Sequence, residues 1–252
     1  DSADGNPFYV EEVIRMMIDD GIILKGQDRW LPNVERLTDI RIPPTLTGVL
    51  QARLDALPPA ERAILQRASV IGRIFWDSAL MALHVDGDQL IEDIDAAIAA
   101  LRRRELIRRR EQSAFAGAHE YIFKHAMLCD VTYESVRRRR RRVYHAQVAN
   151  WLIEQSGDRL SEYTGLIADH FERAGDCGQA VKYLCLAATS ALAASAYQDA
   201  ISLLERALAL LPECALDVTR QQEASLKWQL GQAYRGLSAY QKARQLYEDS
   251  LA

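Results

Sequence analysis

Ala196-Tyr-Gln-Asp-Ala-Ile-Ser-Leu-Leu-Glu-Arg-Ala-Leu-Ala-Leu-Leu-Pro212 decides the fold of this chain. Small Ala200 and Ala207 share one helix face with bulky Leu204, and Pro212 cannot continue the helix. Small residues let a neighbouring helix come close, while Tyr and Leu fill the grooves between helices. The same mixture returns at Gly231, Tyr234, Ala243 and Tyr247. Paired helices are therefore expected over about 161–174, 178–194, 197–211, 219–236 and 239–252. Two more precede them, at about 125–136 and 138–156, with Gly157 ending the second. From His125 onward the chain should be all helix.

The preceding stretch reads differently. Helices are expected at 59–71, 77–84 and 88–104, the last amphipathic through Leu90, Ile91, Ile94, Ile98 and Leu101. Two short strands, Leu106 to Arg110 and Tyr121 to Lys124, are joined by a loop around Ala116-Gly117-Ala118. Three helices and a β-hairpin form the winged-helix layout, a relative of helix-turn-helix. Nearer the start, Asn6 and Pro7 open a helix whose apolar face is Val10, Val13, Ile14, Met17 and Ile18, closed by Gly21. Ile22 to Leu31 should form a short strand pair or loop, with Trp30 as a plug. Thr45 caps a helix with Leu46, Val49, Leu50, Leu54 and Leu57 on one face, stopped by Pro58-Pro59.

With 252 residues the chain is long enough for two domains or an extended helical array. A net charge of −4 argues against a general polyanion binder. The four cysteines, Cys129, Cys177, Cys185 and Cys214, contain no Cys-x-x-Cys pair and are expected as reduced, mostly buried thiols of a cytoplasmic protein. No apolar run approaches the ~20 residues of a membrane span. The chain opens Asp1-Ser-Ala-Asp-Gly5 without a basic leader and closes inside a helical stretch at Leu251-Ala252, so a longer parent protein is expected.

Charge is unevenly spread. Between Arg102 and Arg142 lie twelve arginines and Lys124 against five acids. Six of those arginines are consecutive: Arg137, Arg138, Arg139, Arg140, Arg141 and Arg142. They cover more than one helical turn and hence every face. A solvated or partner-facing helix start is the plain reading. Cations at a helix N-terminus cost about 0.3–1 kcal/mol each against the dipole, which makes the run a candidate for anions or an acidic partner. Nucleic-acid reading by the 88–104 helix is not expected, because its outer face carries Asp88, Glu92, Asp93 and Asp95. His119, Glu120 and His125 lack the His-Glu-x-x-His spacing of a helical metal site, so no metal is expected. Glu11-Glu12 and Asp19-Asp20 are adjacent pairs that should point to different helix faces rather than form a catalytic dyad.

Several ordered motifs resemble one assembly. Gly5-Asn-Pro-Phe-Tyr-Val-Glu-Glu-Val13 is similar to the element closing the ATPase lid of the STAND signal-transduction ATPases. Ile42-Pro-Pro-Thr-Leu46, Gln51-Ala-Arg-Leu-Asp-Ala-Leu-Pro-Pro59 and Ala68-Ser-Val-Ile-Gly-Arg73 resemble the continuation of that lid into a winged helix. Tyr121-Ile-Phe-Lys-His125, Val131-Thr-Tyr-Glu-Ser135, Arg141, His145, Ala149 and Leu152 resemble its end, and 196–212 resembles the second helix of a tetratricopeptide repeat. The nearest pattern is that of bacterial predicted ATPases, some fused to nucleotide cyclases or acting as transcriptional regulators.

The resemblance implies a mostly α chain: a helical lid (1–57), a winged-helix domain of three helices and a β-hairpin (58–124), a helical linker with the arginine stretch (125–160) and a TPR-like α-helical repeat array (161–252). No stretch reads G-x-x-x-x-G-K-[ST], and no glycine is followed by lysine. The segment itself is thus expected to be no enzyme and to hold no cofactor, whereas its parent would be an ATPase using ATP or ADP with Mg, possibly fused to a nucleotide cyclase. By motif, Pro7 would pack near adenine and His125 would reach the diphosphate; an imidazole can donate to phosphate oxygen. The expected partners are an upstream ATPase core in cis and a protein or small-molecule effector at the repeats, with neither nucleic acid nor membrane. The alternatives are a free-standing TPR-like scaffold and a winged-helix DNA-binding regulator.

Overall fold

A computed structural model describes residues 7–25, 30–33, 42–85, 93–214 and 220–251. The chain is mostly α-helical with two small antiparallel sheets. It divides into two compact units, residues 1–137 and 138–252. No helix among the described residues is long and apolar enough to cross a membrane.

In the first unit, α1 (Pro7–Asp19) leads into the antiparallel pair β1 (Ile23–Lys25) and β2 (Trp30–Pro32), then into α2 (Leu46–Asp55). Thr45 caps α2 as expected: its hydroxyl accepts from the Gly48 amide at 3.1 Å. The apolar face of α1 is split. Tyr9, Val13 and Met16 pack with Val49 of α2, while Val10, Ile14 and Ile18 lie on the open side. Apolar periodicity marks both sides of such a helix and does not say which one is covered. Trp30 is no plug, being 55% exposed. The expected Asn6 cap lies outside the described residues.

Helices α3 (Pro59–Ile71), α4 (Asp77–Ala82) and α5 (Ile94–Arg103) follow. Asp93 caps α5, its side chain accepting from the Ala96 amide at 2.7 Å, so the helix starts later than position 88. Asp88, Leu90, Ile91 and Glu92 lie outside the described residues. The hairpin strands β4 (Ile107–Arg109) and β5 (Glu120–Phe123) are joined by β3 (Ile74–Trp76) in the order β3-β5-β4. The sequence reading missed β3, because three apolar residues between two helices carry no period. Phe75, Tyr121 and Phe123 pack in its core, and Trp76 meets Phe115 edge-on at 5.0 Å. Buried Glu120 accepts from Trp76 Nε1 and the Ala114 amide, both at 2.9 Å, and pairs with Arg110. The unit ends with α6 (Ala126–Ser135), which packs on α2 and α3.

The second unit is a succession of helices, each packed on the next: α7 (Arg138–Ser156), α8 (Leu160–Ala174), α9 (Cys177–Ala193), α10 (Tyr197–Leu210), α11 (Arg220–Gly236) and α12 (Tyr240–Leu251). Three of its turns repeat one design. Gly175, Ser195 and Ser238 sit at φ 82, 59 and 59, and Ala180, Ala200 and Ala243, five residues on, are buried. A left-handed residue ends one helix, and the buried alanine lets the next approach closely. The repeat Ser195-Ala-Tyr-Gln198 and Ser238-Ala-Tyr-Gln241 is visible in the sequence once the turns are aligned. At Gly231 an added Cβ would lie 2.6 Å from the Tyr247 ring, so only glycine leaves room for it.

Candidate functional site

The side chains singled out near the start and middle of the chain meet in the first unit. Pro7 is the exposed first residue of α1, where its missing N–H costs nothing. The next residue, Phe8, lies against the His125 ring, with centroids 4.1 Å apart. His125 is the residue before α6, held in an extended conformation after β5. The start of α1 and the β5–α6 junction therefore share one corner.

His125 is held by opposing influences. Burial pushes its imidazole below the ordinary histidine range, and the Glu12 carboxylate pulls it back up. Its Nε2 stands 3.6 Å from Glu12 Oε1 and finds no hydrogen-bond partner among the described residues, although that atom is buried. A buried imidazole nitrogen without a partner holds unused hydrogen-bonding capacity.

Around this corner lies an ion network that the sequence reading missed. Arg53, with a side chain 2% exposed, pairs with equally buried Glu12 and bonds Asp19 Oδ2 at 3.0 Å and the Arg104 carbonyl at 3.2 Å. Arg104 in turn reaches Glu61 at 2.9 Å. Lys124 Nζ holds Glu11 at 2.6 Å and Glu105 at 3.4 Å, and Arg15 holds Glu105 at 2.7 Å. The Arg15 guanidinium keeps the Glu105 carboxyl at about 2, and Lys124 lowers that of Glu11. Glu105 itself is left-handed, φ 56, just past the end of α5, which turns it toward α1. Arg53 follows Val49 and Leu50 at helical spacing, so a cation on an apolar stripe was the available signal.

Glu11 and Glu12 do not diverge as adjacency on a helix suggested. Their carboxylates and a His125 nitrogen come within 4.8 Å of one another, because long side chains bend around the corner. These are donor atoms a cation could use. Both carboxylates already face Arg53, Arg15 or Lys124, however, so further positive charge is poorly matched there. His119 and Glu120 take no part: His119 Nδ1 meets Asp77 Oδ2 at 2.8 Å.

Beside the corner, Pro7, Val10, Ile14, Ile18 and Trp30 line an open, partly apolar groove of ≈ 380 Å³, with Glu11, Arg15 and Glu105 at its polar side. The arginine run is not among the residues lining it. Arg137, Arg138, Arg139 and Arg142 are exposed, Arg140 and Arg141 half-buried, and the last five form the start of α7. Of the cysteines only Cys129 is buried, fewer than expected; Cys177, Cys185 and Cys214 are half-buried.

No family model matches the chain. No solved structure matches it. An uncharacterized protein of Rhizobium meliloti (strain 1021) is 28% identical over 255 residues, covering 98% of this chain and 23% of the relative. The chain thus spans about a quarter of the length of that relative.

Proposed function

We propose that this chain is the regulatory part of a nucleotide-driven signalling switch of the STAND type: lid, winged helix and TPR-like repeat arm. The single observation carrying the reading is the corner where His125, with an unpartnered buried nitrogen, rests on Phe8 beside Pro7. The two positions that the motif resemblance links to nucleotide lie far apart in sequence. The apolar groove on the open side of α1 gives an upstream ATPase core a surface to cover. A relative of which this chain matches 23% has length outside the matched part for further domains. The order of α3, α4, α5 and the β4–β5 hairpin agrees with a winged helix, and the three equivalent turns of the second unit agree with degenerate helical repeats.

In this reading the segment hydrolyses nothing itself. The lid and winged helix, joined by Arg53, Glu12, Asp19 and Arg104, move as one clamp over ADP. A phosphate oxygen would come within hydrogen-bond distance of His125 Nε2, where Glu12 Oε1 stands 3.6 Å away. An effector on the repeat arm biases the clamp open, a shift between two states, and an attached output domain responds.

The test is the melting temperature of the protein expressed from its whole gene, with and without ADP and Mg, in wild type, Pro7→Ala and His125→Ala. A ligand that binds only the folded form raises stability. A rise with ADP that shrinks in both variants supports the switch. No rise in any of them removes it and leaves a helical protein-binding scaffold as the better account.

A further inference from the structure

Four arginines in the first unit differ from all those described above. Arg102 and Arg103 stand on the last turn of α5, and Arg108 and Arg109 stand on β4. With Ala99 and Ile107 they line one open groove of ≈ 580 Å³. All four are exposed, but Arg108 and Arg109 are successive strand residues opposite Ile122 and Tyr121, so the Arg108 side chain leaves by the other face of the sheet. Arg15, Arg53, Arg104 and Arg110 each hold a carboxylate, whereas among the described residues none of these four does. Like charges gathered in one groove repel, and an anion placed between them relieves that repulsion. Their planar forks match phosphate oxygens in pairs.

The surroundings narrow the ligand. Asp93 and exposed Asp95 at the other end of α5 oppose a long duplex laid along that helix. Among the described residues no aromatic side chain lines the groove, so they offer no platform on which the bases of a single strand could stack. In an extended acidic peptide successive carboxylates face opposite ways, so only alternate ones would enter. Linked phosphates bring several charges into a small volume.

We propose that the groove between the end of α5 and strand β4 binds a chain of linked phosphate groups, as in inorganic polyphosphate or a nucleoside polyphosphate, through Arg102, Arg103 and Arg109. The site shares no side chain with the Pro7–His125 corner and does not depend on the switch reading.

The probe is inorganic tripolyphosphate, titrated calorimetrically into the chain at low and at raised salt. ATP, a mixed-sequence duplex DNA and a polyglutamate peptide form the parallel arms. The groove variant is Arg102→Glu/Arg109→Glu, and Arg220→Glu/Arg235→Glu on α11 is the control. Binding should weaken by about tenfold or more in the groove variant, since each charge-assisted pair is strong. The control should stay within about twofold of wild type. ATP binding more tightly than tripolyphosphate, with the same arginine dependence, assigns the nucleoside form; equal binding assigns the bare phosphate chain. Absence of tripolyphosphate binding, equal loss in both variants, or tighter groove-dependent binding of duplex or peptide overturns the proposal. Arg109→Gln, titrated beside the reversals with circular dichroism of each, answers the case in which a double reversal fails to fold.

Discussion

Replacing Arg53 tests whether the buried ion network holds the start of the chain to the β-hairpin module. The guanidinium is 2% exposed and binds Glu12, Asp19 and the Arg104 carbonyl. In Arg53→Met the volume is nearly kept, but Glu12, also 2% exposed, loses its cation. Among the described residues, only His125 Nε2 at 3.6 Å then remains paired with it. Removing one partner of a buried pair costs about 3–5 kcal/mol, mostly the penalty of the charge left behind. Against a typical total of about 5–15 kcal/mol, that is about a fifth or more of the stability of a domain. Glu12→Leu added to Arg53→Met removes the stranded charge and should recover about half of the loss or more. Hydrogen exchange under graded urea, read by mass spectrometry on peptides from 42–85, assigns the change to the first unit. If Arg53→Met costs less than about 1 kcal/mol, or the double variant is no better than the single, the network does not hold the unit together.

Four further outcomes follow from the same structure. The Glu105 carboxyl, held at about 2 chiefly by Arg15 against an ordinary 4.5, adds stability that is complete above 4.5 and lost as pH falls toward 2; Glu105→Gln should flatten that part of the urea-midpoint profile. His145 of α7 lies 2.8 Å from His170 of α8, Nδ1 to Nδ1, and burial, with His170, Arg173 and Arg141 nearby, pushes it down to about 3 from 6.5. Its neutral form is therefore favoured in the fold, and stability should drop as pH falls from 6.5, by up to about 1.4 kcal/mol per pH unit. A profile unchanged in His145→Leu would show that the pair does not matter. Gly231→Ala places a Cβ 2.6 Å from the Tyr247 ring and should cost about 1–3 kcal/mol by overpacking, net of helix propensity; a stabilised variant in thermal melts would refute the fit. Cys129 is the one buried cysteine, and burial pushes its thiol up to about 12, so native-state alkylation at neutral pH should reach it last among the cysteines, as peptide mapping can check.

The helices were legible because their signals are local. Pro59 and Gly72 bound α3, Gly175 ends α8, and alanines at helical spacing mark α9 to α12. The hairpin strands were legible from apolar runs around a small-residue loop. What stayed hidden depended on contacts across the sequence. β3 is a strand only because Ile74 to Trp76 pair with Glu120 to Ile122. The covered side of α1 is set by Val49 of α2, which no period within α1 reports. The Arg53 network joins residues more than thirty positions apart. At the candidate site, Pro7 and His125 could be named from motifs, but the tilted contact of Phe8 with His125 and Glu12 facing its nitrogen needed the fold. The three matching turns of the second unit were hidden for another reason: glycine and serine occupy the same left-handed position, so the repeat lies in conformation more than in residue type.

Polar and apolar surface are divided around α1 in a way that bears on switching. Its inner side is fixed twice, by the Tyr9, Val13 and Met16 cluster and by the Glu12–Arg53 pair. Burying a charge pair adds little net stability but penalises every arrangement in which the two are apart. Sliding α1 over α2 by one turn would strand Glu12, so the contact is either made as it is or broken outright. The outer side, Val10, Ile14 and Ile18, carries no such charge and can be covered or uncovered at a cost that grows smoothly with apolar area. A helix with one exacting face and one permissive face transmits motion as a rigid part while its outer contact is exchanged. If the proposed clamp operates, that division would place its moving interface on the groove side of α1 and the fixed one at Arg53.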